Sequence, residues 1–246
     1  MLNLLIAFGC GAATCGLLYA THLLKLGESI VPGVLVFVAA YFVLARRTFK
    51  QVEKIVSGAV LSLQSMPPKF DLAIHTLETA YPLGKKQIGV TSQIDSQIGM
   101  IYFLEQQFSK ALPYLQRAQT FGHWMGSAML AVVYYKKKDH ANMRKTMNFV
   151  VKRAKTQGLA WNLYAYLLQQ IGDKDGAQKL LVEAVKKTKN DPRVKEALLA
   201  LQNDKNFKMR VYKEQWYQFH LERPPPQQHP LAMSGRGAKM ARRGRW

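Results

Sequence analysis

Two stretches of the chain set small and large apolar residues at matching intervals, and that repetition limits the fold more than any compositional figure does. Residues 91–118 carry Ile98, Gly99 and Tyr102, then Ala111, Leu115 and Ala118. Farther on, Trp161, Ala165 and Leu168 are followed by Ala177, Leu181 and Ala184, with Gly172-Asp173-Lys174-Asp175-Gly176 supplying turn residues between the two sets. Steps of three and four residues belong to a helix, so each stretch reads as two helices joined by a short turn. Small residues at Gly99, Ala111 and Ala118 let the two helices approach closely, where bulk would wedge them apart. A lone pair of this kind cannot bury its apolar face, so neighbouring pairs must stack on it.

These offsets resemble the tetratricopeptide repeat, a helix-turn-helix unit with a period of about 34 residues. Two looser copies extend the register. Trp124, Leu130, Ala131 and Tyr134 make a good first helix, but its partner carries Met143 and Met147 where the family prefers Ala and an aromatic residue. Upstream, a Pro67-Pro68 turn precedes a second helix from Phe70 through Leu77 and Ala80, with Leu61 rather than a small residue at the close-contact position. A generic bundle of antiparallel helices is the competing reading. The resemblance implies a groove for a peptide or helix of another protein on the inward face of each first helix. It places Gln93, Ser96, Met100 and Phe103 in the clearest unit, Ala128, Tyr135 and Lys136 in the next, and Asn162, Tyr166 and Gln169 in the last.

The first 45 residues have a different character. No charged residue occurs in 1–24 or in 30–45, and only Lys25 and Glu28 interrupt. At helical rise these runs span ~36 Å and ~24 Å, against a hydrocarbon core of about 30 Å. The expectation is an N-terminal transmembrane helical hairpin over 1–45, with spans at about 2–24 and 30–45. Residues 26–29 would form the turn, and Pro32 would fall in the first turn of the returning helix. Ala7, Gly9, Gly11, Ala12, Ala13 and Gly16 leave the first helix thin enough for close packing. Cys10 and Cys15 are five apart, which fits neither a redox pair nor a zinc site. No basic residue precedes Leu4, which argues for a retained segment over a cleaved signal peptide.

Arg46, Arg47, Lys50 and Lys54 follow the second span, so the positive-inside bias puts both termini in the cytosol, at the inner membrane if the host is bacterial. The net charge of +20 resides entirely after residue 45. Arg46, Arg47, Lys136, Lys137, Lys138, Arg242, Arg243 and Arg245 are the candidate contacts with lipid headgroups or an acidic partner. Tyr212, Trp216 and Phe219 share a helical stripe, which suits a terminal helix that shields the last repeat or, alternatively, an interfacial or partner-binding helix. Beyond Pro224-Pro225-Pro226, the composition of 234–246 predicts a disordered basic tail within 222–246.

The six histidines are scattered, and no metal-ligand spacing, nucleophile elbow or phosphate loop occurs. The chain is therefore expected to be no enzyme, and to need no cofactor and no metal. The fold expected is all-α, the hairpin being followed over 46–221 by a TPR-like α-solenoid with capping helices. A membrane-anchored adaptor for another protein is the leading function. The alternatives are a membrane-associated nucleic-acid-binding protein using the basic runs and tail, and a structural subunit of a membrane complex.

Overall fold

The computed structural model describes residues 1–21 and 25–224. The expectations for the basic tail, including Arg242, Arg243 and Arg245, and for the end of the first span at 22–24, fall outside these residues. Among the described residues the protein is all-α: an N-terminal helical hairpin runs into a TPR-like solenoid.

Helix α1 (Leu2–Ala20) lies against α2 (Leu26–Gln64), and both are long and apolar enough to cross a membrane. Their closest approach is at Gly11, where a Cβ would meet the Gly33 carbonyl oxygen at 2.7 Å and Phe37 Cβ at 2.8 Å. The small residues of the first helix thus serve contact between the two rods. The connection differs from the expected turn at 26–29. Those residues form the first turn of α2, because the Glu28 carboxylate accepts from the Lys25 backbone N–H at 3.3 Å and caps the helix start. Pro32 consequently sits inside the helix.

The expected second span, 30–45, is only part of α2, which continues unbroken through Arg46 and Arg47 to Gln64. Its distal half packs on α3 (Phe70–Glu78) and makes the first helix pair, burying Val52 and Ala59 against Ala73 and Leu77. Gly58 faces α3 there, where a Cβ would lie 3.8 Å from Thr76 Cγ2. Leu61, expected at the close-contact position in place of a small residue, is 68 % exposed. A short turn, α4 (Tyr81–Gly84), leads to α5 (Val90–Leu104) and α6 (Phe108–Ala118). The next pairs are α7 (Trp124–Lys136) with α8 (His140–Arg153), and α9 (Gly158–Gln170) with α10 (Lys174–Lys187). Helix α11 (Pro192–Gln202) packs on α10 and α9.

Close contact within the pairs follows the sequence pattern. A Cβ on Gly99 would lie 2.7 Å from Leu115 Cδ2 and 3.1 Å from the Leu115 backbone nitrogen, so glycine is what lets α6 seat on α5. The pair α7–α8 closes equally well despite its departure from the family pattern. Met143 and Met147 are fully buried, since an unbranched thioether side chain adapts to a gap shaped for other residues. Helices α8 and α10 begin on side-chain caps: Asp139 accepts from the Asn142 N–H at 3.1 Å and Asp173 from the Gly176 N–H at 2.8 Å. Between α5 and α6, Asp95 is buried and held by Arg117 (3.0 and 3.1 Å) and the Tyr81 hydroxyl (2.7 Å). Burial, and then the hydrogen bond to Asp95, push the Tyr81 phenol above its ordinary range.

Candidate functional site

The first helices α5, α7 and α9 line the inner face of the stack, and the chain's own C-terminal segment lies across them. This strap, residues 206–222, contains a 3₁₀ turn (Met209–Tyr212) and a short helix α12 (Glu214–Tyr217). It does not form the long terminal helix that the Tyr212, Trp216 and Phe219 spacing suggests. Its Phe207, Met209, Tyr212, Trp216 and Phe219 are all buried, joining the same core as α5 through α11.

Five of the ten expected groove residues touch the strap. The Phe103 ring is 5.8 Å from that of His220, which also faces Phe108 at 6.3 Å. The Lys136 ammonium donates to the His220 carbonyl at 3.0 Å and lies 4.9 Å from the centre of the Phe108 ring. Tyr166 meets Trp216 edge-on, with ring centres 4.8 Å apart, and also packs on Phe207 at 6.5 Å. The Asn162 amide donates to the Tyr212 hydroxyl at 3.0 Å, and the Gln169 amide donates to the Asn206 side chain at 2.5 Å. The floor thus combines aromatic faces, one ammonium and two amide donors.

The remaining five are placed otherwise. Ser96 and Ala128 are buried; the Ser96 hydroxyl faces Gly122 and Gly126 at the entry to α7. Met100 packs on the core from its edge, Tyr135 is half-buried beside His140, and Gln93 is half-buried on α5. Of the candidate lipid contacts, Arg46 and Arg47 are exposed on α2, one turn from where α1 begins. Lys136, Lys137 and Lys138 are exposed at the far end of α7.

Electrostatics in the groove follow from burial. The Tyr212 phenol is pushed up, chiefly by desolvation and then by Asp191. Burial lowers the His220 imidazole below its ordinary value and Lys136 lowers it further, opposed by a backbone hydrogen bond at Leu104. Two buried strap atoms, Trp216 Nε1 and His220 Nε2, have no hydrogen-bond partner, and neither does Asn162 Oδ1 on the floor. Among the described residues no group of three or more His, Cys, Asp or Glu stands close enough to hold a metal ion. The groove therefore offers shape, aromatic surface and amide donors. The strap was hidden in the sequence, although seven large apolar residues within 207–219, more than the end of one repeat needs, are the signal that could have exposed it.

No family model and no curated protein matches this chain. A solved structure described as "MamA RS-1 ArsTM double mutant" is similar over 70 % of this chain and 93 % of that one, with 13 % identity and a TM-score of 0.46. The repeat character rests on the helix pairs and glycine contacts described above.

Proposed function

We propose that the protein is a membrane-anchored, non-enzymatic scaffold whose concave groove receives an extended, aromatic-bearing segment of another protein. The observation that carries this is the strap: a stretch of polypeptide already lies in the groove, its aromatic side chains buried and its polar groups met by Lys136, Asn162 and Gln169. A partner segment of similar chemistry would compete with the strap for those seats, so the strap acts as a resident ligand.

The hairpin α1–α2 anchors this scaffold in a bilayer, with the repeats on the cytosolic side. The charges after the second span support that orientation, as does the tie between chain start and repeats: the Leu2 and Asn3 backbone N–H groups donate to the Lys85 and Lys86 carbonyls at 3.1 and 3.0 Å. Asn3 is buried there, its amide donating to Thr48 (2.9 Å) and to Gln87 (3.2 Å). Such a polar cluster suits the water end of a membrane hairpin.

Two measurements test the reading. Carbonate-washed vesicles should retain the full chain, and protease added outside sealed cells should leave the repeats intact; release or cleavage refutes the anchor. A labelled peptide of residues 206–222 should bind the Trp216→Ala/Phe219→Ala protein in mild detergent and be excluded from wild type. Failure to bind a variant of unchanged helicity refutes the groove, and equal binding to both proteins places the peptide elsewhere.

A further inference from the structure

Because successive helices run antiparallel, alternate connections come to the same edge of the stack, and contacts between those connections verify it. The start of α1 bonds to 85–86. Gly89 lies against the Phe121 ring. Arg153, at the end of α8, donates to the Gln119 and Thr120 carbonyls at 3.3 and 3.2 Å. Gly158, opening α9, lies against Asp191, which caps α11. The connections 79–89, 119–123, 154–157 and 188–191 therefore form one continuous edge. It starts at the level where α1 begins and Thr48 joins it, the water end of the hairpin.

Charge is divided unequally between this edge and its opposite. The near edge exposes Lys85 and Lys86 at the first connection. At the third stand Lys152, Arg153 and Lys155, and at the fourth Lys186, Lys187 and Lys189. Within these connections the acid is Asp191, already paired with Arg193 at 3.0 Å; Glu78, which ends α3 beside the first of them, faces His75 at 3.8 Å. The opposite edge mixes its lysines with Glu105, Asp139, Asp173, Asp175 and Asp204. Between the near-edge cations, Phe121 is 56 % exposed and Ile88 43 %. A cleft of about 240 Å³ between α8 and α10 gathers Lys152, Lys155 and Lys187, with the acid Glu183 also in its lining.

We infer that the near edge is a footing that lies on the anionic surface of the bilayer holding the hairpin, its lysines meeting lipid phosphates and Phe121 and Ile88 dipping into the headgroup layer. α2 leaves the membrane as one helix and the later helices run alongside it, so the stacking direction lies in the membrane plane and the edge is presented to the leaflet. Basic residues near an anionic leaflet attract it, and apolar side chains among them add buried area. Lys137 and Lys138, on the opposite edge, take no part. This inference rests on the hairpin crossing a bilayer.

The test is backbone hydrogen exchange of the full chain in nanodiscs of phosphatidylcholine alone, or with a quarter of the lipid replaced by phosphatidylglycerol. Exchange in 85–89, 154–157 and 188–191 should slow on the order of tenfold with anionic lipid, as expected if the two or three cations at each connection contribute severalfold. The connection 119–123, which carries no cation, should slow with its neighbours as Phe121 enters the headgroup layer. High salt should reverse the slowing, and 105–107 and 136–139 should not respond. Lys152→Glu/Lys155→Glu should abolish it at 154–157, while Lys137→Glu/Lys138→Glu should leave it intact. Equal exchange in both discs while α1 and α2 stay protected overturns the footing alone. Free exchange throughout the hairpin overturns the anchor with it. Slowing of the near edge by added RNA but not by anionic lipid overturns it in favour of a nucleic-acid surface.

Discussion

Replacing Trp216 with Ala should release the strap while the solenoid beneath it stays folded. The indole is fully buried and meets Tyr166 edge-on at 4.8 Å, so its removal costs about 3–5 kcal/mol, the range for aromatic truncation in a core. Trp216 Nε1 is buried without an acceptor, a burden of about 1–3 kcal/mol that the truncation relieves. The net loss is about 2 kcal/mol, borne by a segment tied down by a few side chains and no regular backbone ladder. Hydrogen exchange should therefore quicken by roughly thirtyfold in 206–222, at 1.4 kcal/mol per factor of ten, with α5 through α10 unchanged. Trp216→Phe keeps an aromatic ring against Tyr166 and drops the unpaired N–H, so its strap should stay protected. Uniform acceleration across all helices in Trp216→Ala would refute the claim that strap and solenoid are separable. So would a strap that exchanges at the wild-type rate.

Other consequences can be measured on the same protein. Gly99→Ala should lower thermal stability, because overpacking against Leu115 costs about 1–3 kcal/mol and exceeds the helix preference regained of up to about 1 kcal/mol; a raised melting temperature would contradict it. Arg117→Ala strands the buried Asp95, with a loss toward the low end of about 3–5 kcal/mol since Arg117 is itself 55 % exposed; adding Asp95→Asn should restore part of it. His220 is held neutral in the docked strap, so its folded value lies below the unfolded one. Its contribution is present above pH about 6.5 and is lost as pH falls through the folded value. Protease susceptibility of 206–222 should rise on acidification in wild type and less so in His220→Gln.

Some of this was legible in the residue pattern and some was not, for physical reasons. Gly99, Ala111, Ala177 and Ala184 announced their pairs because close helix contact is a local requirement that only small side chains meet. Leu61 fell at the close-contact offset because any apolar residue at helical spacing fits a template, whereas the residues that α2 buries in the core shared with α3 are Val52 and Ala59. Gly27 and Pro32 suggested a later helix start, and Glu28 capping decided otherwise. On the inner face, the sequence singled out five residues that touch the strap but did not reveal the strap itself. Phe103, Lys136, Asn162, Tyr166 and Gln169 follow from the register of first helices. That Trp216 and Phe219 should cover them depends on where a nonrepetitive segment folds back, and no periodicity encodes that.

Helix α2 leaves the hairpin and enters the first repeat without a hinge, and α1 is clamped to it at Asn3 and Thr48. A joint of this kind cannot swivel. The roughly 28 Å of α2 from Arg46 to Gln64, at 1.5 Å per residue, lies within the first repeat, so hairpin and groove turn as one body. Under the proposed anchoring, a client tethered to the same bilayer would meet a groove of set angle and depth. Too short a leash could not reach it, and a much longer one would dilute its own end, so the rigid joint would filter which clients engage.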